Sequence, residues 1–170
     1  MKASLSPLSI LDFGMTVLDF KTIPPEKSGD DTPAYFHDYE IDIDFGIQVG
    51  KHIHVYIIAK VNYGEQTLPG YSFCAQAGCF FEFNEKTQLT ASQKADLEGF
   101  STIYIALNSL RGLISSFTAN APFGRYILPS IDLNDLIAKK RMSISKTDNI
   151  KTNGKRLPKK IKKKAHKSHK

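Results

Sequence analysis

The residues able to hold an ion or drive a reaction fall into a few small groups. Asp38, Glu40, Asp42 and Asp44 alternate along a segment with the period of a strand, so their carboxylates share one face. Alternate strand residues are about 6.6 Å apart, too wide for neighbouring ligands of one divalent cation unless a loop converges them. That row reads as a solvated sheet face. His52 and His54 share a face, with His37 upstream, but two imidazoles without a third ligand of suitable spacing do not complete a zinc site. His166 and His169 sit in Ala-His-Lys-Ser-His-Lys, where the lysines oppose a bound cation. Cys74 and Cys79, five apart in a strand, point to opposite faces and read as buried thiols of a reducing cytoplasm. The sequence holds no GxSxG, no phosphate-binding P-loop, no GxGxxG and no nucleophile with an obvious base. We therefore expect a binding protein with no catalytic residue, no metal and no cofactor.

Four segments must carry these groups as strands. The first fits about Ile10 to Ile23 and stops at Pro24-Pro25. In the second, Tyr39, Ile41, Ile43, Phe45, Ile47 and Val49 oppose the acids, and after Gly50-Lys51 the third resumes the alternation through Val61, which predicts an antiparallel hairpin. The fourth runs from Tyr71 to Asn84, where small Ala75 and Ala77 admit the close approach of another element and are assigned, with Leu110 and Leu113, to an interface between copies. The loop from Glu26 to Pro33 reads as polar and mobile. From about Ser92 to Thr118 the period becomes helical, with two apolar stripes side by side. A helix apolar over so wide an arc needs its own sheet and, through residues such as Leu110 and Leu113, a second copy of the chain. Asn120 to Gly124 breaks it. An extended crossover with Phe123 and Tyr126 leads to Pro129, and a short second helix, from Asp132 to about Lys140, carries Leu133, Leu136 and Ile137 on one stripe. These three, with the crossover aromatics, outline a groove for extended apolar segments.

Charge divides the chain. Of its 170 residues, 41% are hydrophobic and the net charge is +6. Residues 139–170 hold fourteen Lys or Arg against one acid, whereas residues 1–138 hold nine against sixteen. The fold is expected in residues 1–140 and a basic, disordered tail in 141–170. Lys159, Lys160, Lys162, Lys163 and Lys164 in that tail form an anion-binding cluster suited to RNA, a ribosome or anionic lipid, sensitive to salt. The first residues lack the pattern of a secretory leader, and no stretch approaches the roughly 20 apolar residues of a membrane span. A cytoplasmic location follows as the expectation.

The order of elements and certain residues resemble the SecB family of bacterial export chaperones. The stretches that carry the likeness are Phe73 to Phe81, reading FCAQAGCFF, and Asn108 to Ile137, whose residues from Leu107 read LNSLRGLISSFTANAPFGRYILPSIDLNDLI. The alternation from Tyr39 to Asp44 is similar to the family's second strand, and the likeness spans roughly residues 8 to 140. It implies an α+β fold, a four-stranded antiparallel sheet packed with one long and one short helix, assembled as a dimer of dimers. It also implies a holdase for unfolded or nascent polypeptides, whose groove is lined by Tyr39, Ile41 and Ile43 with Leu133, Leu136 and Ile137 and flanked by Phe123 and Tyr126. The places matching the acids that dock SecA look like Val17, Lys21 and Ala75, so the resemblance supports client binding more than SecA docking. Other expectations are a SecB-like chaperone of a toxin–antitoxin system, and a nucleic-acid- or ribosome-associated oligomer acting through its tails.

Overall fold

The computed structural model describes residues 2–3, 5–27, 31–84 and 87–153, with side chains described as far as residue 144. The chain divides into two units, Met1–Leu133 and Asn134–Lys170. In the first, four strands, β1 (Leu8–Ile23), β2 (Ile41–Val49), β3 (Ile53–Val61) and β4 (Gly70–Phe83), form one antiparallel sheet in the order β1-β4-β3-β2. This order leaves both β1 and β2 at edges. Alternation sets the register: pairing Ile43 with Ala59 and Phe45 with Ile57 places Ile41, Ile43, Phe45, Ile47 and Val49 on one face with Ile53, Val55, Ile57, Ala59 and Val61. β1 carries one extra residue near Leu11 and another near Thr16, where its register against β4 slips.

That face is roofed by α1 (Ala91–Asp96), a π-helical turn (Leu97–Ser101) and α2 (Thr102–Thr118), which run continuously where one long helix is expected. Thr90 starts it with a capping box: its hydroxyl accepts from the Gln93 amide, and the Gln93 side chain accepts from the Thr90 amide. α2 packs against β3, β4 and β1. Ala106, Leu107, Leu110 and Ile114 are buried against Val55, Ile57, Ala59, Phe73, Ala75 and Ala77. Each large apolar side chain so covered contributes about 1.5–3 kcal/mol.

Two loops are fixed by side chains. Asn62, left-handed at φ 49°, donates to the carbonyls of Leu68 and Tyr71 and accepts from the Leu68 amide, closing the β3–β4 link. Gly70 has φ +112°, and a Cβ there would lie 2.1 Å from the Tyr39 hydroxyl. The missing side chain lets that hydroxyl donate to Pro69 O (2.8 Å) and accept from the Tyr71 amide (2.7 Å). The loop before β2 is shorter than expected, because Thr32–His37 forms a 3-10 helix with Pro33 in its first turn; residues 28–30 lie outside the described residues.

α3 begins at Leu133, the last residue of the first unit, and runs in the second unit to Asn153. The expected stop near Lys140 falls inside this helix. No Gly or Pro occurs between Leu133 and Asn153, so nothing breaks the backbone before Gly154. Asp135 sits in the first turn, favourable to the dipole, and pairs with Lys139 at 2.7 Å. The lysine cluster from Lys159 to Lys164 lies outside the described residues.

Burial raises the phenol pKa of Tyr39, Tyr71 and Tyr126 above the usual 10. The folded state therefore favours their neutral forms, and the stability this provides is present below pH 10 and lost as pH rises through the folded values. The urea midpoint should be level to about pH 9 and fall steadily above about pH 10; a level profile to about pH 11.5 would contradict the burial of these rings. Tyr71→Phe removes a donor to Gly124 O and an acceptor for the Phe123 amide and should cost about 1–3 kcal/mol. The Tyr126 hydroxyl has no partner among the described residues, so Tyr126→Phe should be neutral or stabilising by up to about 1 kcal/mol in the same assay.

Candidate functional site

The polar groups that could do chemistry are dispersed. β2 begins at Ile41, after Asp38 and Glu40, so only Asp42 and Asp44 stand on the sheet's outer face. Asp42 lies 3.9 Å from Lys60, and Asp44 accepts from the Phe45 amide. His52 belongs to the β2–β3 turn and His37 ends the 3-10 helix. Among the described residues no three His, Cys, Asp or Glu converge on a metal position. His54 stacks on Phe80, ring centroids 3.9 Å apart and planes 16° apart, which gives the one apolar residue on that face of β4 a partner. Both cysteines are free and buried on opposite faces, and burial, with the charge of Asp12, raises the Cys79 thiol to about 11. Such a thiol is unreactive at neutral pH.

The groove residues inferred from the sequence separate into two kinds. Tyr39, Tyr126 and Leu133 are 6%, 1% and 6% exposed; they belong to the core and do not line a groove. Tyr39 and Tyr126 pack ring to ring at 5.6 Å, with Phe36 against both. Phe123 is half-buried beside Tyr71, centroids 5.6 Å apart. Ile41 and Ile43 are half-buried at the margin of the core. Leu136 and Ile137 lie on α3 in the second unit. The structure therefore brings Tyr39, Tyr126 and Phe123 into one aromatic cluster rather than around an open channel, because the crossover lies down on the sheet. Leu128 is buried beside it while Ile127, between the two, is 62% exposed.

Arg111 holds the crossover there, a role that its place in an apolar stripe concealed. Its Nε donates to Leu128 O (2.8 Å) and its Nη2 to Pro129 O (2.9 Å), while Nη1 donates to Asn108 Oδ1. Thr118, at the end of α2, accepts from the Tyr126 amide at 2.9 Å and donates to Ile114 O. A guanidinium fork reaching two successive carbonyls leaves no i, i+3 or i, i+4 signature, so the sequence alone does not reveal it.

The residues assigned to an interface between copies also need correction. Ala75, Ala77 and Leu110 are 0%, 2% and 0% exposed, filled in by the chain's own α2 and sheet. The small side chains do admit a close neighbour, and it is α2. Leu113 alone of the four is partly open to solvent. Val17 and Lys21 lie on the outer face of β1, but Ala75 faces the helix and matches no exposed docking position.

Open apolar surface is found instead at the β1 edge. Met15, Leu18 and Phe20 of β1, with Phe73, Ile114, Phe117 and Thr118, line a shallow apolar cleft. Phe117 is 44% exposed and meets Phe20 edge-on at 4.9 Å. Nothing in the sequence pattern singles out this cleft, since the same residues read equally well as core. It exists because α2 leaves the sheet's margin incompletely covered beside a strand whose outer backbone edge pairs with no other strand among the described residues.

No protein-family model matches the chain, and none of the curated proteins searched matches it. Among solved structures, it is similar to a SecB-like chaperone of Mycobacterium tuberculosis in complex with a peptide from an antitoxin, at 12% identity and TM-score 0.47, covering 74% of this chain and 91% of that one. It is also similar to a protein of unknown function from Streptococcus agalactiae, at 6% identity and TM-score 0.41, covering 76% of this chain and all of the other. No helix among the described residues is long and apolar enough to cross a membrane.

Arg111→Lys keeps the charge but not the fork, so it should lower stability by about 1–2 kcal/mol in urea denaturation, and Arg111→Ala by about 2–3 kcal/mol. Amide exchange of residues 126–128 should accelerate in both variants more than that of β3. Equal acceleration throughout would show that Arg111 does not specifically anchor the crossover.

Proposed function

We propose that this chain is a holdase-type chaperone that binds extended apolar segments of unfolded or nascent polypeptides, without catalysis and without a cofactor. The observation that carries the reading is the open cleft of Met15, Leu18, Phe20 and Phe117 beside the free edge of β1. An extended client can offer backbone groups to such an edge and place alternate side chains in the cleft. Apolar client area covered at this margin contributes about 25 cal/mol per Å² before association costs. That supports capture without a fixed client sequence, the behaviour implied by the resemblance to SecB.

The same reading takes the protein to act as a cytoplasmic homo-oligomer. Phe100 and Tyr104, stacked in parallel on the outer side of the long helix and 41% and 56% exposed, support self-association.

Full-length protein should suppress light scattering from a chemically denatured client on dilution. Leu18→Asp with Phe117→Asp should reduce that suppression at least tenfold, since two charges placed in an apolar cleft cost several kcal/mol of client affinity. Ile43→Asp with Leu136→Asp should leave suppression nearly intact; loss there and retention in the first variant would move the site to the β2 side. Masses measured by light scattering on the same samples separate a lost client site from a lost oligomer.

A further inference from the structure

The second unit, Asn134–Lys170, carries fourteen Lys or Arg against Asp135 and Asp148, a net charge of +12 in 37 residues. The polypeptide-binding reading makes no use of it. Its first part is α3, where Lys139, Lys140 and Arg141 are consecutive and Lys146 and Lys151 follow in the same helix. Successive helical residues are about 100° apart, so three consecutive cations spread over about 200° of the circumference. From Lys139 to Lys151 they span about 18 Å of axis. Lys139 is 73% exposed, and its pair with Asp135 is a surface contact that a phosphate can displace at small cost.

This distribution discriminates between anionic partners. A helix lying on a membrane needs one apolar face and one polar face. Here Leu136, Ile137 and Ile144 share one stripe, but Lys140 stands within it and Met142, 64% exposed, projects nearly opposite Ile144, so the helix has no apolar face free of cations. A flat bilayer can touch only one side of a rod charged around its girth, whereas a flexible polyanion can wrap it. No Phe, Tyr or Trp follows Tyr126, so base stacking is unavailable and contact is confined to the backbone. We propose that the unit Asn134–Lys170 binds single-stranded nucleic acid through its phosphodiester backbone, without sequence preference.

Fluorescence anisotropy with the full chain and a labelled single-stranded RNA of about 20 nucleotides tests this, because the logarithm of affinity should fall linearly with the logarithm of KCl by about 0.7 per phosphate contact. Lys139→Gln, Lys140→Gln and Arg141→Gln combined should make that slope shallower by about 2 and weaken binding at least tenfold near 0.1 M KCl. A duplex DNA of similar length should bind more weakly than the single strand. Absence of RNA binding at about 0.05 M KCl, or an unchanged slope in the triple variant, would overturn the proposal. So would tighter binding to phosphatidylserine vesicles than to RNA, or to the duplex than to the single strand. The triple variant should still suppress client aggregation, so failure here is distinguishable from failure of the holdase reading.

Discussion

A four-stranded sheet measures about 14 Å between its outermost strand axes, and a helix with its side chains is about 10–12 Å wide. One helix therefore cannot roof the whole apolar face, and the first unit is arranged around that shortfall. α2 lies over β3, β4 and β1, so the apolar side of β2 and the outer margin of β1 need other cover. The crossover supplies part of it. Tyr126 and Leu128 are pressed onto the sheet by Arg111, Thr118 and the Tyr71 hydroxyl, and the aromatic cluster of Phe36, Tyr39, Tyr71 and Tyr126 fills the space beyond the helix. At β1 no comparable segment is laid down among the described residues, and the cleft stays open.

The polar cost of this arrangement is concentrated in a few atoms. An extended crossover has no ladder of its own, so its amides and carbonyls must find side chains. Arg111 takes two carbonyls, Thr118 takes an amide, and Tyr71 bridges Phe123 and Gly124. Tyr126 is the exception, its ring wanted for packing and its hydroxyl left without a partner among the described residues. The glycine at 70 belongs to the same scheme, since only there can the Tyr39 hydroxyl reach both Pro69 and Tyr71.

Strand alternation from Tyr39 to Val61 and the change to a helical period near Ser92 made the sheet and the long helix legible, because period 2 and period 3.6 are properties of consecutive residues. The sheet order, with β1 next to β4, is a long-range choice that no local pattern encodes. Burial was harder to infer. Tyr39, Tyr126 and Ala75 are apolar or amphipathic in ways that fit an exposed groove or interface as readily as a core, and only the position of α2 and the crossover decides between them. α3 runs beyond the expected stop near Lys140 because lysine is a good helix former and no breaker precedes Gly154.

The two extra residues in β1 set a limit on how far its edge can be copied. A strand laid alongside would find a regular ladder only from Val17 to Ile23, since the slips near Leu11 and Thr16 turn the backbone out of step. A segment of about six residues could pair there, but a long flat β-structure could not grow from that edge. An edge so interrupted offers a short pairing site without serving as a template for extended β-structure. A protein whose own edge strand is 16 residues long and largely apolar has the same need of protection for itself.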